Sequence, residues 1–249
     1  LLLLPLIWTQ LPDSVAFLVR QGKTAEARKV LAALTGKPLP DDAELAVHQP
    51  QKTEQSLAAL FSNNRALSTL MFFQAFFMCL LMVYGLGSWL PKLMTMAGYG
   101  FGSSLMFLLF LNIGGIIGAI GGGWLSDRFH PRPVLMLFFT LAAVSLALLG
   151  FKSHVAVLYF LVTVAGATTI GSQILLYAYV AQFYPTAIRS TALGWSSGVG
   201  RIGAILGPVL GGALLAMQLS HQMNFLAFVV PGALAVIAIM LTAGRKEAV

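Results

Sequence analysis

Six long apolar stretches run through this chain, and they constrain its fold more than any other feature. Each is about 20 residues or somewhat longer, the length that an α-helix needs to cross the hydrocarbon core of a bilayer. Charged residues make up 9% of the chain, whereas a soluble domain carries about 25%. The runs are continuous rather than alternating, which favours helices over a β-barrel. The sequence therefore predicts an all-α membrane protein with spans near Ser68–Leu90, Ser104–Leu125, Val134–Phe151, Val155–Val180, Thr191–Met217 and Phe225–Ala243.

The segments outside these spans are short or polar. Residues 1–9 are apolar but too few to cross a bilayer, so we expect the end of a helix whose start is missing, and a chain that is a fragment. Residues 10–67 are predicted to be a cytoplasmic linker with two short amphipathic helices. Gly22 ends the first of them, and Thr24 caps the second. The six spans then form a bundle over residues 68–243, followed by a tail over residues 244–249.

The basic residues indicate which side of the membrane faces the cytoplasm. If the spans alternate in direction, only Lys92 and Lys152 fall on one side and Arg201 falls within a span, which leaves twelve of the fifteen basic residues on the other side. An excess of Lys and Arg marks cytoplasmic loops. We therefore expect the long linker and the C terminus in the cytoplasm. This bias also accounts for the net charge of +7 without nucleic acid as a partner, since the cations face anionic lipid.

Arg201 is the most informative single residue. A fixed cation near mid-membrane is costly and by default marks a substrate or ion pathway. No Asp or Glu lies in any apolar stretch, so an anionic substrate is the natural partner. A structural arginine satisfied by backbone carbonyls is the alternative. Other polar residues within the spans are candidate substrate contacts or helix-to-helix hydrogen bonds: Tyr84, Gln173, Tyr177, Asn112 and Gln74.

Small residues and one proline pattern two of the spans. Gly114, Gly118 and Gly122 recur at every fourth position, and a second series runs through Gly194, Gly198, Gly203, Gly207 and Gly211. Such stripes let two helices approach closely, either as static packing or as faces that move during transport. Pro208 removes the backbone bond to Ala204 and is expected to kink its helix there.

Nothing in the sequence makes a positive case for an enzyme. The four histidines lack the spacing of a metal site, and no nucleophile elbow, zinc-protease, phosphate-loop or dinucleotide fingerprint is present. We therefore expect no catalytic residue, no metal and no cofactor.

Two motifs resemble those of a known family. The run Gly123-Trp124-Leu125-Ser126-Asp127-Arg128-Phe129 is similar to the G-x-L-S-D-R signature of the major facilitator superfamily. The run from Gln182 to Gly203, with Phe183-Tyr184-Pro185-Thr186 and the continuation Gly198-Val199-Gly200-Arg201-Ile202-Gly203, resembles the aromatic acid:proton symporters within it. The likeness covers essentially the whole chain, but only the C-terminal half of a twelve-span transporter and the end of its sixth helix.

The resemblance implies a function and roles for particular residues. It implies a proton-coupled importer of aromatic carboxylates such as hydroxybenzoates, in the inner (plasma) membrane, working by alternating access together with a missing N-terminal six-helix half. Arg201 is carried over as the residue for the substrate carboxylate. Gly123, Asp127, Arg128 and Arg189, with Pro208, are expected to serve gating.

The sequence departs from the family pattern in two places. The proton-linked acids of the family lie in a first span that this chain does not contain. Gln182 stands where the family often has an acid, which puts a role for that position in doubt. A sugar or organic-ion porter, and a non-transporting membrane scaffold or receptor, remain as alternatives.

Overall fold

A computed structural model describes residues 15–35 and 57–242 of the chain. The chain divides into two compact units, residues 1–51 and 52–249. Three predicted parts of the chain lie outside the described residues: the helix end over residues 1–9, residues 10–14 and 36–56 of the linker, and the tail over residues 244–249.

The first unit contains two short helices where the sequence predicts them. Helix α1 spans Val15–Arg20 and helix α2 spans Thr24–Thr35. Gly22 joins them with φ +76°, a left-handed conformation that glycine adopts without a steric penalty. The amide of Lys23 reaches back to the Leu18 carbonyl at 2.9 Å, which closes the end of α1. The interhelical turn thus follows directly from the glycine.

In its described residues, 57–242, the second unit is a bundle of six long helices preceded by a short 3-10 helix at Leu57–Leu60. All six are long and apolar enough to cross a membrane, which confirms the predicted all-α membrane architecture. They are α3 (Ala66–Met96), α4 (Phe101–Phe129), α5 (Pro131–Leu149), α6 (Val155–Phe183), α7 (Thr186–Ala216) and α8 (His221–Leu241).

Several helices extend further than the apolar runs suggest. Helix α4 continues to Phe129, so Arg128 lies in its last turn, and α5 begins two residues later at Pro131. Helix α7 begins at Thr186, so Arg189 lies within its first turn rather than in the preceding loop. The sequence-based boundaries were wrong here because hydropathy marks where a helix becomes apolar, whereas backbone hydrogen bonding continues through its polar ends.

Helices α3 and α7 form one closely packed parallel pair. A Cβ built at Gly203, Gly207 or Gly211 would overlap α3, at Phe77, Leu81 and Trp89 respectively. The contacts rise in the same order along both helices, so the two run in the same direction. This part of the predicted glycine stripe is confirmed as a packing face.

Gly194 and Gly198 do not belong to that packing face. A Cβ at either position would have no neighbouring heavy atom within 4 Å among the described residues. The expectation that they continue the stripe was wrong, because Gly203 is nine residues beyond Gly194, which turns it to roughly the opposite side of a helix with 3.6 residues per turn.

Helices α4 and α6 form a second parallel pair. The Cβ positions of Gly114 and Gly118 would overlap the backbone of Thr163 and Ala167, and Gly166 meets α4 in the same way. The predicted stripe on α4 is therefore confirmed. Helix α5 packs on α6, and helix α8 packs on α3. The membrane-spanning parts of α4 and α7 are the least covered, at 33% and 28% buried, against 44–50% for the other four helices.

Candidate functional site

Arg201 is the middle residue of α7, fifteen residues from Thr186 and fifteen from Ala216. At a rise of about 1.5 Å per residue it lies roughly 22 Å from either end of the helix. A side chain at that depth is too far from both ends to snorkel to the headgroups. Its position therefore agrees with the mid-membrane depth that the sequence predicts.

Tyr84 of α3 is the residue that meets Arg201. The guanidinium Nη1 donates a hydrogen bond to the Tyr84 hydroxyl oxygen at 3.0 Å. Within the described residues this is the one polar contact of Arg201. The carboxylates in the same ranges belong to Glu26 in α2 and Asp127 at the end of α4, and neither pairs with Arg201. Arginine has no acceptor, so the Tyr84 oxygen accepts and its own O–H remains a donor. The structure thus brings together two of the predicted site residues from distant parts of the sequence.

Tyr177 and Gln173 lie on α6, which also packs on α3. The Tyr177 ring packs edge-on against Phe76, with centroids 5.0 Å apart, and Phe76 also lies beside Gly200 of α7. The thiol of Cys79 contacts the Thr169 carbonyl at 3.5 Å. Gln173 lies between Tyr177 and Thr169 on α6, and these two residues contact Phe76 and Cys79 of α3. Because Phe76 lies beside Gly200, Gln173 is at about the level of Arg201. Phe76 therefore contacts both α6 and α7, and it has no polar group that would have singled it out in the sequence.

Asn112 and Gln74 are less closely connected to Arg201. The Asn112 amide is exposed and donates to the Leu108 carbonyl of its own helix at 2.7 Å. The Gln74 amide donates to the Leu234 carbonyl of α8 at 3.4 Å. Gln74 therefore links α3 to α8, which is the helix-to-helix role that the sequence left open for it.

One side of α7 next to Arg201 is open. Gly194 and Gly198 precede Arg201 by seven and three residues, which places all three on one side of the helix. A Cβ at either glycine would meet nothing within 4 Å, and that includes the side chain of Arg201. Trp195, with 47% of its surface exposed, lies on the same open side. Sequence reasoning assigned these glycines to packing and missed this surface.

Pro208 and Trp89 connect α7 to α3 on the C-terminal side of Arg201. The Trp89 indole packs over Gly211, and its Nε1 donates to the Pro208 carbonyl at 2.7 Å. Helix α7 continues without interruption through Pro208. The expected kink at this position stays a prediction.

The residues of the first motif surround a recess at the C-terminal end of α4. The recess has a volume of about 480 Å³ and is lined by Ser126 to Pro131 together with Gln182 at the end of α6. The Arg128 guanidinium lies 5.8 Å from the Trp124 ring centroid. A Cβ at Gly123 would meet nothing within 4 Å. Gln182 thus lies near Asp127 and Arg128, an arrangement that the sequence does not predict.

The second motif links the α6–α7 connection to the start of α3. The Tyr184 hydroxyl lies 2.7 Å from Thr69 Oγ1, which also donates towards the carbonyls of Leu60 and Arg65. Threonine has a single hydroxyl proton, so Tyr184 is the donor in their shared contact. Burial raises the pKa of Tyr184 above its ordinary value, against smaller lowering effects of Thr69 and Arg65, which keeps the phenol protonated.

Arg189 follows this connection in the first turn of α7. Its Nε is buried without a hydrogen-bond partner in the described part of the chain. A gating role for Arg189, as for Gly123, Asp127, Arg128 and Pro208, is not decided by this geometry. Among residues 15–35 and 57–242, no three His, Cys, Asp or Glu side chains cluster as a metal ion would require.

Comparison with protein families gives two matches. The family model of the Major Facilitator Superfamily matches residues 112–248. The model described as "Sugar (and other) transporter" matches residues 1–88.

Individual relatives are bacterial transporters. The chain is 45% identical over 248 residues to the benzoate transport protein of Acinetobacter baylyi, covering 98% of this chain and 53% of that protein. It is 48% identical over 154 residues to the gentisate transporter of Corynebacterium glutamicum, covering 62% and 35%. It is 33% identical over 245 residues to the 4-hydroxybenzoate transporter PcaK of Pseudomonas putida, covering 97% and 54%. The chain spans about half the length of the curated relatives it matches.

Among solved structures, the fold is similar to that of the fucose:proton symporter of Escherichia coli. The TM-score is 0.64 at 18% sequence identity, and the match covers 89% of this chain and 53% of the symporter. At that identity the likeness bears on the fold alone.

Proposed function

Because this chain belongs to the major facilitator superfamily, we propose that the protein imports aromatic carboxylates by alternating access, with Arg201 as the receptor for the carboxylate. The observation that carries this proposal is a guanidinium at the centre of α7 whose contact in the described region is a neutral phenol, Tyr84. A cation at that depth needs an anion. The names of the relatives, which transport benzoate, gentisate and 4-hydroxybenzoate, support an aromatic one.

The side chains around Arg201 suit such a ligand. The guanidinium has five N–H donors, of which the Tyr84 contact uses one, so a carboxylate can still be held by two. The Tyr84 hydroxyl can donate to the same anion. Gln173 and Tyr177 on α6 are proposed as further contacts, while Asn112 and Gln74 are weaker candidates because neighbouring carbonyls accept their amide N–H groups.

The chain spans about half the length of its relatives, so the proposed transport also involves the part of those relatives that it does not match. In the proposed cycle the two six-helix halves rock about the site near mid-membrane. Entry of a proton would offset the charge of the anion, and by resemblance the acids for this step lie in the other half. The described acids here, Glu26 and Asp127, lie outside the middle of the spans. Arg201 therefore serves the substrate rather than the proton.

The distribution of basic residues supports the orientation of the proposed importer in a bacterial inner membrane. Arg128 and Arg132 flank the α4–α5 connection, and Arg189 lies in the first turn of α7, whereas Lys152 lies at the opposite ends of the helices. By the positive-inside bias, the α4–α5 connection and the C terminus face the cytoplasm.

The experiment that tests this proposal is uptake of labelled benzoate by cells that express the intact protein with Arg201→Ala. Loss of one partner of a buried charge pair costs about 2–5 kcal/mol, so uptake at low substrate concentration should fall by roughly 30-fold or more. Arg201→Lys should recover only part of it, because lysine keeps the charge but not the planar fork.

Arg132→Ala is the matched control. It removes another arginine, whose guanidinium donates to the Met240 carbonyl at 2.7 Å and links the start of α5 to the end of α8. Uptake per molecule of membrane protein should be retained in this variant. Normal benzoate uptake by Arg201→Ala would contradict the proposal, and inhibition of uptake by organic cations rather than by benzoate would favour an organic-ion porter.

A further inference from the structure

The bond between Arg201 and Tyr84 changes what lies over the neighbouring backbone of α7. Long side chains on a helix lean back over the preceding turn, which for Arg201 contains Ser197 and Gly198. Yet no side-chain atom of Arg201 comes within 4 Å of a Cβ built on Gly198. The guanidinium reaches across to α3 instead, where the Tyr84 oxygen accepts its Nη1–H at 3.0 Å.

The register of the two helices explains the direction of this displacement. Phe77 of α3 lies against Gly203 of α7, and Gly85 lies against Gly207. Since the helices are parallel, Tyr84 lies further along the pair than Arg201. Its hydroxyl therefore draws the guanidinium towards the C-terminal half of α7 and away from Gly198.

We propose that Tyr84 is a positioning residue for Arg201: by holding the guanidinium off Gly198, it keeps open a slot in which the ring of the substrate lies. The proposal rests on the function proposed above and assigns the place of the ring rather than that of the carboxylate. It also makes Gly198 a determinant of which rings are accepted.

The geometry of an aromatic carboxylate fits this arrangement. With its carboxylate on the remaining N–H groups of Arg201, the flat ring extends along α7 over Gly198, which is three residues or about 4.5 Å back along the axis. A backbone without Cβ lets a flat face approach closely, and the exposed Trp195 flanks the same side. A ring substituent that points at α7 would meet the backbone at Gly198 first.

The glycine at position 198 has no other explanation in the described structure. Glycine in a helix interior is unfavourable compared with alanine. At Gly203 the adjacent backbone of α3 requires it, whereas at Gly198 no described atom does. Close approach of a helix from outside these residues is the competing explanation, and the experiment separates the two.

The test compares Tyr84→Phe, Gly198→Ala and the double variant in the intact protein. Cells take up labelled benzoate in competition with unlabelled benzoate or with a bulkier ring-substituted benzoate that the wild type still accepts. Both single variants should raise the KM for benzoate severalfold at an unchanged maximal rate per molecule. Both should weaken competition by the bulkier acid more strongly than competition by benzoate. The KM of the double variant should be no higher than that of the single variant with the higher KM, because both changes close the same slot.

Matched controls make the same chemical changes elsewhere. Tyr159→Phe removes a hydroxyl that contacts the Ser103 carbonyl at 3.5 Å, and Gly121→Ala adds a methyl group at an open position of α4. Neither should alter the ratio between the two acids. A helix packed on Gly198 would instead make Gly198→Ala lower the amount of folded protein and affect both acids equally, which overturns the proposal.

Failure of this inference is distinguishable from failure of the proposed function. If Arg201→Ala abolishes uptake but Tyr84→Phe and Gly198→Ala leave the ratio between the acids unchanged, only the ring slot is wrong. Additive losses in the double variant would likewise overturn it. If Arg201→Ala transports normally, the carboxylate receptor itself is wrong.

Discussion

The two glycine-bearing sides of α7 look alike in sequence and differ in what surrounds them. On one side, Gly203, Gly207 and Gly211 lie against α3 so closely that a methyl group would overlap its atoms. On the other side, Gly194 and Gly198 face no described atom within 4 Å. One helix therefore uses glycine both to bring a neighbour close and to leave a surface bare. Only the first use follows from packing between the helices of this chain.

The largest expected effect comes from substitution on the packed side. Gly203→Ala places a Cβ against the Phe77 carbonyl, and because backbone cannot swing aside, the pair must separate. Overpacking of this kind costs about 1–3 kcal/mol, and we expect the upper part of that range. Gly194→Ala, in contrast, should be neutral or stabilise by up to about 1 kcal/mol, because it only improves helix propensity.

Apparent melting temperatures of the two detergent-solubilised variants measure this difference. Equal melting temperatures for Gly203→Ala and Gly194→Ala would show that the two sides are equivalent, and the comparison would fail. A strong loss of stability in Gly194→Ala would show that another helix covers the open side in the intact protein.

A smaller effect is expected where a side chain rather than backbone opposes the glycine. Gly211→Ala meets the Trp89 indole, which can rotate away at the loss of its 2.7 Å hydrogen bond to the Pro208 carbonyl. That loss is worth about 1 kcal/mol. Trp89→Phe removes the same bond in advance, so Gly211→Ala should cost less in that background. Equal costs of Gly211→Ala in both backgrounds, measured by melting temperature, would contradict the sharing of one contact.

Much of this fold could be predicted from the sequence because hydrophobic run length and the spacing of small residues are local signals. They located the six helices and the packing face of α4 that carries Gly114 and Gly118. The depth of Arg201 could likewise be predicted, because it follows from the position of the residue within one apolar stretch. The contact of Arg201 with Tyr84 could not be predicted, because the two residues are 117 positions apart and their contact depends on the register between two helices.

The two sides of α7 could not be separated from sequence for the same reason. Counting positions shows that Gly194 and Gly203 point in roughly opposite directions, but it does not show which direction contains α3. Helix ends were also misplaced, since Arg128 and Arg189 are polar residues that continue helices rather than loops. Partner identity and backbone continuity are tertiary information that hydropathy does not contain.

The smallest effect is expected from the opposite kind of substitution, in which glycine replaces a larger residue. His130 joins α4 to α5 with φ +74° and ψ 142°, a region of backbone conformation that only glycine occupies without strain. Its side chain is exposed, and it makes no hydrogen bond that would compensate within the described residues. His130→Gly should therefore stabilise the protein by about 1 kcal/mol, at the low end of the cost of such strain, because glycine is also more flexible in the unfolded chain. His130→Ala keeps the Cβ and should not stabilise. A rise in melting temperature for both variants would assign the effect to the imidazole rather than to the backbone, and a fall for His130→Gly would show that the connection between the two helices is not strained.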